Sequence, residues 1–227
     1  MAFLVLAATL VGAYLIGSIN GAVIVSAVTG QGDVRKEGSG NAGMTNMIRS
    51  RGIMPGLVTF LIDTIKGVLA CLLARFVILP YIFDELGYEM FRPQYAVYYC
   101  AIACILGHIY PVFFGFKGGK GVSTTLGVGF VCCWETALVA FALFILVFLL
   151  TKIVSISSIL SGISLPFLNI AFATRIEGSP NAVLIQVLLI TIFTLNILIS
   201  HRSNIRRLLR GEEKKLTAKK KEPKTNG

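Results

Sequence analysis

Ala182-Val-Leu-Ile-Gln-Val-Leu-Leu-Ile-Thr-Ile-Phe-Thr-Leu-Asn-Ile-Leu-Ile199 contains no charged residue and is followed at once by Ser200-His201-Arg202-Ser203-Asn204. At ~1.5 Å per residue such a stretch, coiled as a helix, is close to the ~30 Å of a bilayer's hydrocarbon core. Five further apolar runs, 2–27, 53–79, 94–114, 122–150 and 153–174, occur in the same chain. In lipid their backbone polar groups are satisfied only in helices or closed barrels, and a barrel strand alternates apolar with polar residues, which these runs do not. The 227 residues are 55% hydrophobic and 14% charged, with mean hydropathy +0.79. The fold class expected is all-α, a polytopic transmembrane helical bundle over residues 1–213 with a flexible basic tail, 214–227.

The first run resembles a secretory signal, but it lacks a basic leading segment, is about twice as long as the usual apolar region and ends without a small-residue cleavage motif. It reads as the first span. Charge then sets orientation. Arg202, Arg206, Arg207, Arg210, Lys214, Lys215, Lys219, Lys220, Lys221 and Lys224 follow the last run, and Arg35, Lys36, Arg49 and Arg51 follow the first, so both segments belong on the cytoplasmic side. The stretch with Asp84, Glu85, Glu89 and Arg92 then faces out. An outside N-terminus and inside C-terminus need an odd number of crossings, whereas the runs number six. Either Glu135 divides 122–150 into two short pieces, or 122–174 holds one full crossing and a re-entrant segment; five and seven spans both satisfy the rule.

The net charge of +10 does not point to nucleic acid, because the basic residues crowd beside a span without aromatic interleaving. Anionic membrane phospholipids and anionic substrates are the expected partners. Cys71, Cys100, Cys104, Cys132 and Cys133 are odd in number and lie in apolar runs, so they read as buried thiols. Two histidines without converging acids make a metal site unexpected, and no cofactor is implied.

Three polar clusters interrupt the apolar pattern. Gly38-Ser39-Gly40-Asn41-Ala42-Gly43-Met44-Thr45-Asn46 matches the glycine spacing of a dinucleotide loop, but no strand precedes it and Asp63, twenty residues after Gly43, lies in an apolar run. Its glycines instead allow a tight fold that presents N–H groups to an anion, with Ser39, Asn41, Thr45 and Asn46 as neutral donors and Arg49 as a forked cation. A glycine-rich connector whose polar residues cap the next helix is the plainer alternative. Gly115 through Ser123 includes Lys117-Gly118-Gly119-Lys120-Gly121 and fails the spacing of a nucleotide P-loop. Lys117 and Lys120 can meet a phosphate where a helix begins, with Ser123 and Thr124 as early-turn donors, or can be ordinary membrane-flanking lysines. In the third cluster His201 and Asn204, three apart, share a helix face, while Arg206 and Arg207 read as lipid-facing. His108 orients a loop, caps a helix or touches substrate. Asp63 and Lys66, three apart in an apolar helix, need to pair or face a polar interior, and a structural or substrate-side ion pair is favoured over a catalytic dyad.

At these residues the chain resembles the bacterial membrane glycerol-3-phosphate acyltransferases that take acyl phosphate as donor. Gly38 to Asn46 with Arg49, Asp63-Thr64-Ile65-Lys66-Gly67, Gly107-His108 to Ser123 and His201 to Glu213 follow that family's order over nearly the whole chain. Its early Gly-Ser-Ile-Pro is here Gly17-Ser18-Ile19-Asn20, and its Ala before Thr-Asn is Met44. The resemblance implies a seven-span fold in the bacterial cytoplasmic membrane with the site toward the cytoplasm. It implies transfer of a fatty acyl group from acyl phosphate to the 1-hydroxyl of sn-glycerol 3-phosphate, giving 1-acylglycerol 3-phosphate and inorganic phosphate, without cofactor or obligatory protein partner. By position, Ser39, Arg49 and Lys120 correspond to residues around the phosphates, His201 and Asn204 to site residues of the last block, and Glu213 to a family position of unassigned role. With Gly38, Gly40, Asn41, Gly43, Thr45, Asn46, His108, Lys117, Gly118, Gly119 and Ser123 as substrate-side candidates, the expected catalytic set is His201, Asn204, Lys120 and Arg49. The His-x4-Asp centre of other acyltransferases is missing, since Phe113 and Arg206 stand at the required offsets. A transporter for a phosphorylated solute is the competing class, and it requires access from both faces.

Overall fold

The computed structural model describes residues 2–30, 32–78, 93–176 and 180–216. Among them run ten α-helices: α1 (Ala2–Ser18), α2 (Gly21–Val28), α3 (Met44–Arg51), α4 (Ile53–Leu73), α5 (Pro93–Ile109), α6 (Val122–Cys132), α7 (Trp134–Thr151), α8 (Val154–Ile176), α9 (Pro180–Ser200) and α10 (Arg202–Leu209). Short 3₁₀ turns occupy Val34–Lys36 and Val112–Phe114. Five segments, Ile53–Phe76, Tyr95–Phe114, Trp134–Thr151, Val154–Ala173 and Pro180–Ser200, are long and apolar enough to cross a membrane. A sixth arises if α1 and α2, bent by 43° at their junction, form one span. The protein is an all-α polytopic membrane bundle.

Two apolar runs that read as continuous are broken. The first ends α1 at Ser18 because Asn20 adopts an extended conformation (φ −100°, ψ 112°) and its side chain accepts from Val23 N at 3.1 Å, starting α2 afresh. The run 122–150 is divided, as one of the two expected solutions has it, but the break is at Cys133 (φ −156°, ψ 71°) and not at Glu135. Glu135 lies in the first turn of α7, where a carboxylate suits the positive end of the helix. With 11 residues, α6 is ~16 Å long, about half the ~30 Å of a bilayer's hydrocarbon core. The acidic stretch Asp84, Glu85, Glu89 with Arg92 lies outside the described residues.

The bundle packs through glycines where backbones nearly touch, as expected when lipid and side chain are equally apolar. A Cβ on Gly107 of α5 would fall on the Tyr14 carbonyl of α1, and one on Gly17 of α1 would fall on the Cys104 carbonyl of α5. Gly67 and Gly127 bring α4 and α6 together in the same way, against Thr124 O and Thr64 O. Leu146, Leu149, Leu150 and Phe167 face outward, which places their apolar surface against hydrocarbon. All five cysteines are free; Cys71, Cys100 and Cys104 are buried as expected, but Cys132 and Cys133 are only partly so because they stand at the α6–α7 break.

Candidate active site

The first loop folds around Asn46. Gly38 and Gly40 take positive φ (57° and 70°), which turns the chain back so that Asn46 Oδ1 accepts from Ser39 N at 2.8 Å while its Nδ2 donates to Val34 O and Glu37 O, both at 3.0 Å. Gly40 N donates to Glu37 O, Gly43 N to Asn41 O and Ala42 N to Gly118 O. The open backbone nest expected from the glycine spacing is therefore not formed, because the amides of residues 39, 40, 42 and 43 already have protein acceptors. Asn46 is likewise engaged within the loop. Ser39, Asn41, Thr45 and Arg49 keep their side chains at the wall of the central cavity.

The second loop is clamped from both sides. Gly119 N donates to His108 O and Gly118 N to Ile109 O, each at 3.1 Å. Arg35, held bidentately by Asp33, donates to Phe114 O at 2.6 Å and Lys117 O at 3.2 Å. The hydrogen bond from Arg35 keeps the Asp33 carboxyl below its usual range. Lys117 itself points to solvent, and neither it nor Gly118, Gly119, Gly38 or Gly40 lines the cavity. Gly121 (φ 82°) turns the chain into α6, leaving Lys120 and Ser123 at the cavity wall.

At the start of α10, Lys120 Nζ donates to Asn204 Oδ1, and Asn204 Nδ2 donates to Glu213 Oε1 at 2.7 Å. Glu213 also accepts from Ser155 Oγ at 2.8 Å and from Arg207 Nε at 2.6 Å. Arg207 thus turns inward to the cavity, contrary to the lipid-facing expectation, because Glu213 gives its guanidinium a carboxylate partner. Arg49 donates to Lys214 O at 2.9 Å, and Leu216 N to Lys152 O at 2.8 Å, so the chain beyond α10 crosses back over the cavity. Buried His201 places Nδ1 2.8 Å from Ile197 O. A carbonyl only accepts, so Nδ1 carries the proton and Nε2 keeps its lone pair.

These groups line a cavity of ≈ 400 Å³ whose wall also includes many apolar side chains, among them Phe141, Phe144, Phe148, Leu165 and Phe193, together with Thr125, Ser158 and Ser161. Burial pushes the Lys120 ammonium down to about 8; Glu213 pulls it up, while Arg207 and Arg49 push it further down. Burial, then the Lys120 charge, takes His201 to about 4, so it is neutral near pH 7. Burial pushes Glu213 up, but hydrogen bonds from Arg207, Asn204 and Ser155 outweigh it and hold the carboxyl below its usual range. Lys120, Arg49 and Arg207 outnumber the two carboxylates at the wall, Glu213 and the Asp63 already paired with Lys66, and so leave an excess of positive charge, suited to a phosphate, beside apolar side chains suited to an alkyl chain.

Asp63 and Lys66 pair at 3.0 Å, as the spacing required, and the structure adds His108 to them. Sequence reasoning missed Ser155, whose hydroxyl reaches Glu213 from another helix, and the clamping role of Arg35. Neither has a local motif.

The family model for glycerol-3-phosphate acyltransferase matches residues 7–211. Glycerol-3-phosphate acyltransferase 2 of Bacillus anthracis is 39% identical over 208 residues, covering 92% of this chain and 97% of that protein. A glycerol-3-phosphate acyltransferase of Neisseria meningitidis is 38% identical, covering 91% and 95%. The crystal structure of PlsY, an integral membrane glycerol 3-phosphate acyltransferase, in its glycerol 3-phosphate form superposes with a TM-score of 0.75 at 34% identity, covering 93% of this chain and 96% of that one. The lysophosphatidic acid form gives 0.72 at 33%, covering 92% and 94%. Similarity that runs from the first helix to the glycine after α10, in sequence and in backbone alike, leaves one conclusion: the chain belongs to the glycerol-3-phosphate acyltransferase family.

Proposed function

We propose that this protein transfers a fatty acyl group from acyl phosphate to the 1-hydroxyl of sn-glycerol 3-phosphate, releasing 1-acyl-sn-glycerol 3-phosphate and inorganic phosphate. The observation that carries this reading is the joining of Lys120 and Asn204 at the wall of a cavity that also presents many apolar side chains. The cationic groups suit phosphates and the apolar side chains a fatty chain.

Acyl phosphate is already a reactive anhydride, so orientation and charge neutralisation supply much of the acceleration. The glycerol hydroxyl oxygen attacks the acyl carbon, the bond from that carbon to the phosphate oxygen breaks, and phosphate leaves with the bond's electron pair. Arg49 and Lys120 hold phosphoryl oxygens, with Ser39, Asn41, Thr45 and Ser123 as neutral donors. Asn204 fixes Lys120, and Glu213 fixes Asn204. His201, with its free Nε2 lone pair, orients the hydroxyl. A group at about 4 is a weak proton acceptor at pH 7, so the departing phosphate takes the proton.

The basic residues support an outside N-terminus and a cytoplasmic site in the bacterial inner membrane. Seven spans satisfy that orientation if the α1–α2 pair and the short α6 each count with the five long segments. Lys214, Lys215, Lys219, Lys220, Lys221 and Lys224, in the basic segment 214–227, would then be on the cytoplasmic side.

Purified protein given palmitoyl phosphate and glycerol 3-phosphate, with palmitoyl-CoA in parallel, tests the reading. Lysophosphatidate and phosphate formed one to one from acyl phosphate alone are expected. Turnover of palmitoyl-CoA rejects the donor, and labelled glycerol 3-phosphate crossing vesicles without acylation indicates transport instead.

A further inference from the structure

Asp63, Lys66 and His108 form a buried cluster beneath the two loops, with 1%, 4% and 3% of their surfaces exposed. Lys66 Nζ has three partners: Ile19 O at 2.6 Å, Asp63 Oδ1 at 3.0 Å and His108 Nδ1 at 2.9 Å. An ammonium has three protons and no lone pair. Each proton therefore has one acceptor, and His108 Nδ1 must be the acceptor of the third. Asp63 Oδ1, 3.5 Å from Nδ1, is the longer contact and is also engaged by Gly21 N at 3.1 Å.

If Nδ1 accepts, the neutral ring carries its proton on Nε2. That atom lies against Gly119, the residue before Lys120; a Cβ on Gly119 would fall on it. His108 contributes to the cavity wall beside Ser39, Asn41 and Lys120. Among the described residues Nε2 has no protein acceptor, and it is not fully enclosed, so it is open to the cavity that His108 lines. A donor at a cavity wall with no protein acceptor is available to a ligand oxygen.

We infer that Lys66 and Asp63 lock His108 as the Nε2–H tautomer, so that it donates a hydrogen bond to a phosphoryl oxygen in the cavity. The donor is neutral and complements Lys120, which supplies charge, by supplying direction. The ion pair of α4 thus acts on the site through the ring of α5 and is a positioning element. The bend between α1 and α2 serves the same cluster, since Ile19 O at that bend takes one Lys66 proton and Gly21 N binds Asp63. The kinetic part of this inference rests on the function proposed above; the choice of tautomer does not.

Two variants separate the two nitrogens. His108→Gln offers an amide N–H near Nε2 and loses the acceptor for Lys66, whereas His108→Asn keeps an acceptor near Nδ1 and loses the cavity donor. His108→Asn is expected to raise the KM for one substrate tenfold or more, with thermal stability near wild type. His108→Gln is expected to raise it no more than about threefold while melting at a lower temperature. Whichever KM responds, for glycerol 3-phosphate or for palmitoyl phosphate, identifies the phosphate that is bound. Equal effects of both variants on both KM values, or the reverse order, overturn the inference.

A second measurement needs neither turnover nor variant folding. In wild-type protein labelled with ¹⁵N-histidine and held in nanodiscs, the His108 ring should show a protonated Nε2 and a bare Nδ1. The Nε2 signal should shift as inorganic phosphate or glycerol 3-phosphate is added. A protonated Nδ1, or no response to either anion, overturns the inference. If wild-type protein fails to acylate yet the Nε2 signal responds, the function proposed above fails and the phosphate contact stands.

Discussion

Lys120 and Asn204, separated by 84 positions in the chain, are joined directly: the ammonium of one donates to the amide oxygen of the other, and the amide nitrogen then reaches Glu213. The second and third polar clusters therefore form one unit, and the consequences of perturbing it are specific.

Lys120 should give the pH profile of the free enzyme its alkaline limb. With its pKa at about 8, the ammonium is charged below that value and neutral above it. Affinity for a phosphate is present at lower pH and lost as pH rises, so kcat/KM should fall between pH 7.5 and 9.5. His201, at about 4, adds no limb in that window. Lys120→Met should lower kcat/KM by about 10²–10³. Lys120→Arg should abolish the limb at pH 8 whatever activity it retains, and a limb unchanged in that variant would assign it elsewhere.

Asn204→Asp places a carboxylate against Glu213 and pairs the Lys120 charge. We expect kcat/KM to fall about 100-fold, as for loss of one charge-stabilising group. Adding Glu213→Gln restores a donor toward position 204 and removes the repulsion, so the double variant should recover at least tenfold over Asn204→Asp. Multiplicative losses in a double-mutant cycle would contradict the coupling.

Gly107→Ala pushes α1 away from α5, because the new Cβ meets the Tyr14 carbonyl. A loss of about 1–3 kcal/mol is expected for such overpacking, visible as a lower Tm in detergent. Gly12→Ala, in the same helix pair but with nothing within 4 Å of the new Cβ, is the control and should leave Tm equal or slightly raised.

Chain truncation should distinguish the strap from the tail. Ending the protein after Leu216 preserves the bonds of Lys214 O to Arg49 and of Leu216 N to Lys152 O, and kcat/KM should stay within about twofold. Ending it after Glu212 removes Glu213 with its bonds to Ser155, Asn204 and Arg207, and activity should fall at least tenfold. Similar activities for the two truncations, assayed on folded protein, would show that the strap is dispensable.

The long uncharged runs such as Ala182 to Ile199 determine a helical membrane bundle by themselves, because only a helix satisfies that many peptide groups in lipid. The polar clusters are equally legible as chemistry out of place in apolar surroundings, and the Asp63–Lys66 pair follows from a spacing of three on one helix face. Where helices break was less legible, since hydropathy is continuous across Asn20 and Cys133 while the backbone torsions are not. Only the tertiary structure shows that the first loop spends its amides on its own carbonyls, that Arg207 turns inward to Glu213, and that Ser155 and His108 reach partners 58 and 42 positions away. Local sequence encodes which residues can donate or accept; which of them meet is set by close helix crossings at residues such as Gly17, Gly107 and Gly127, and no local pattern carries that information.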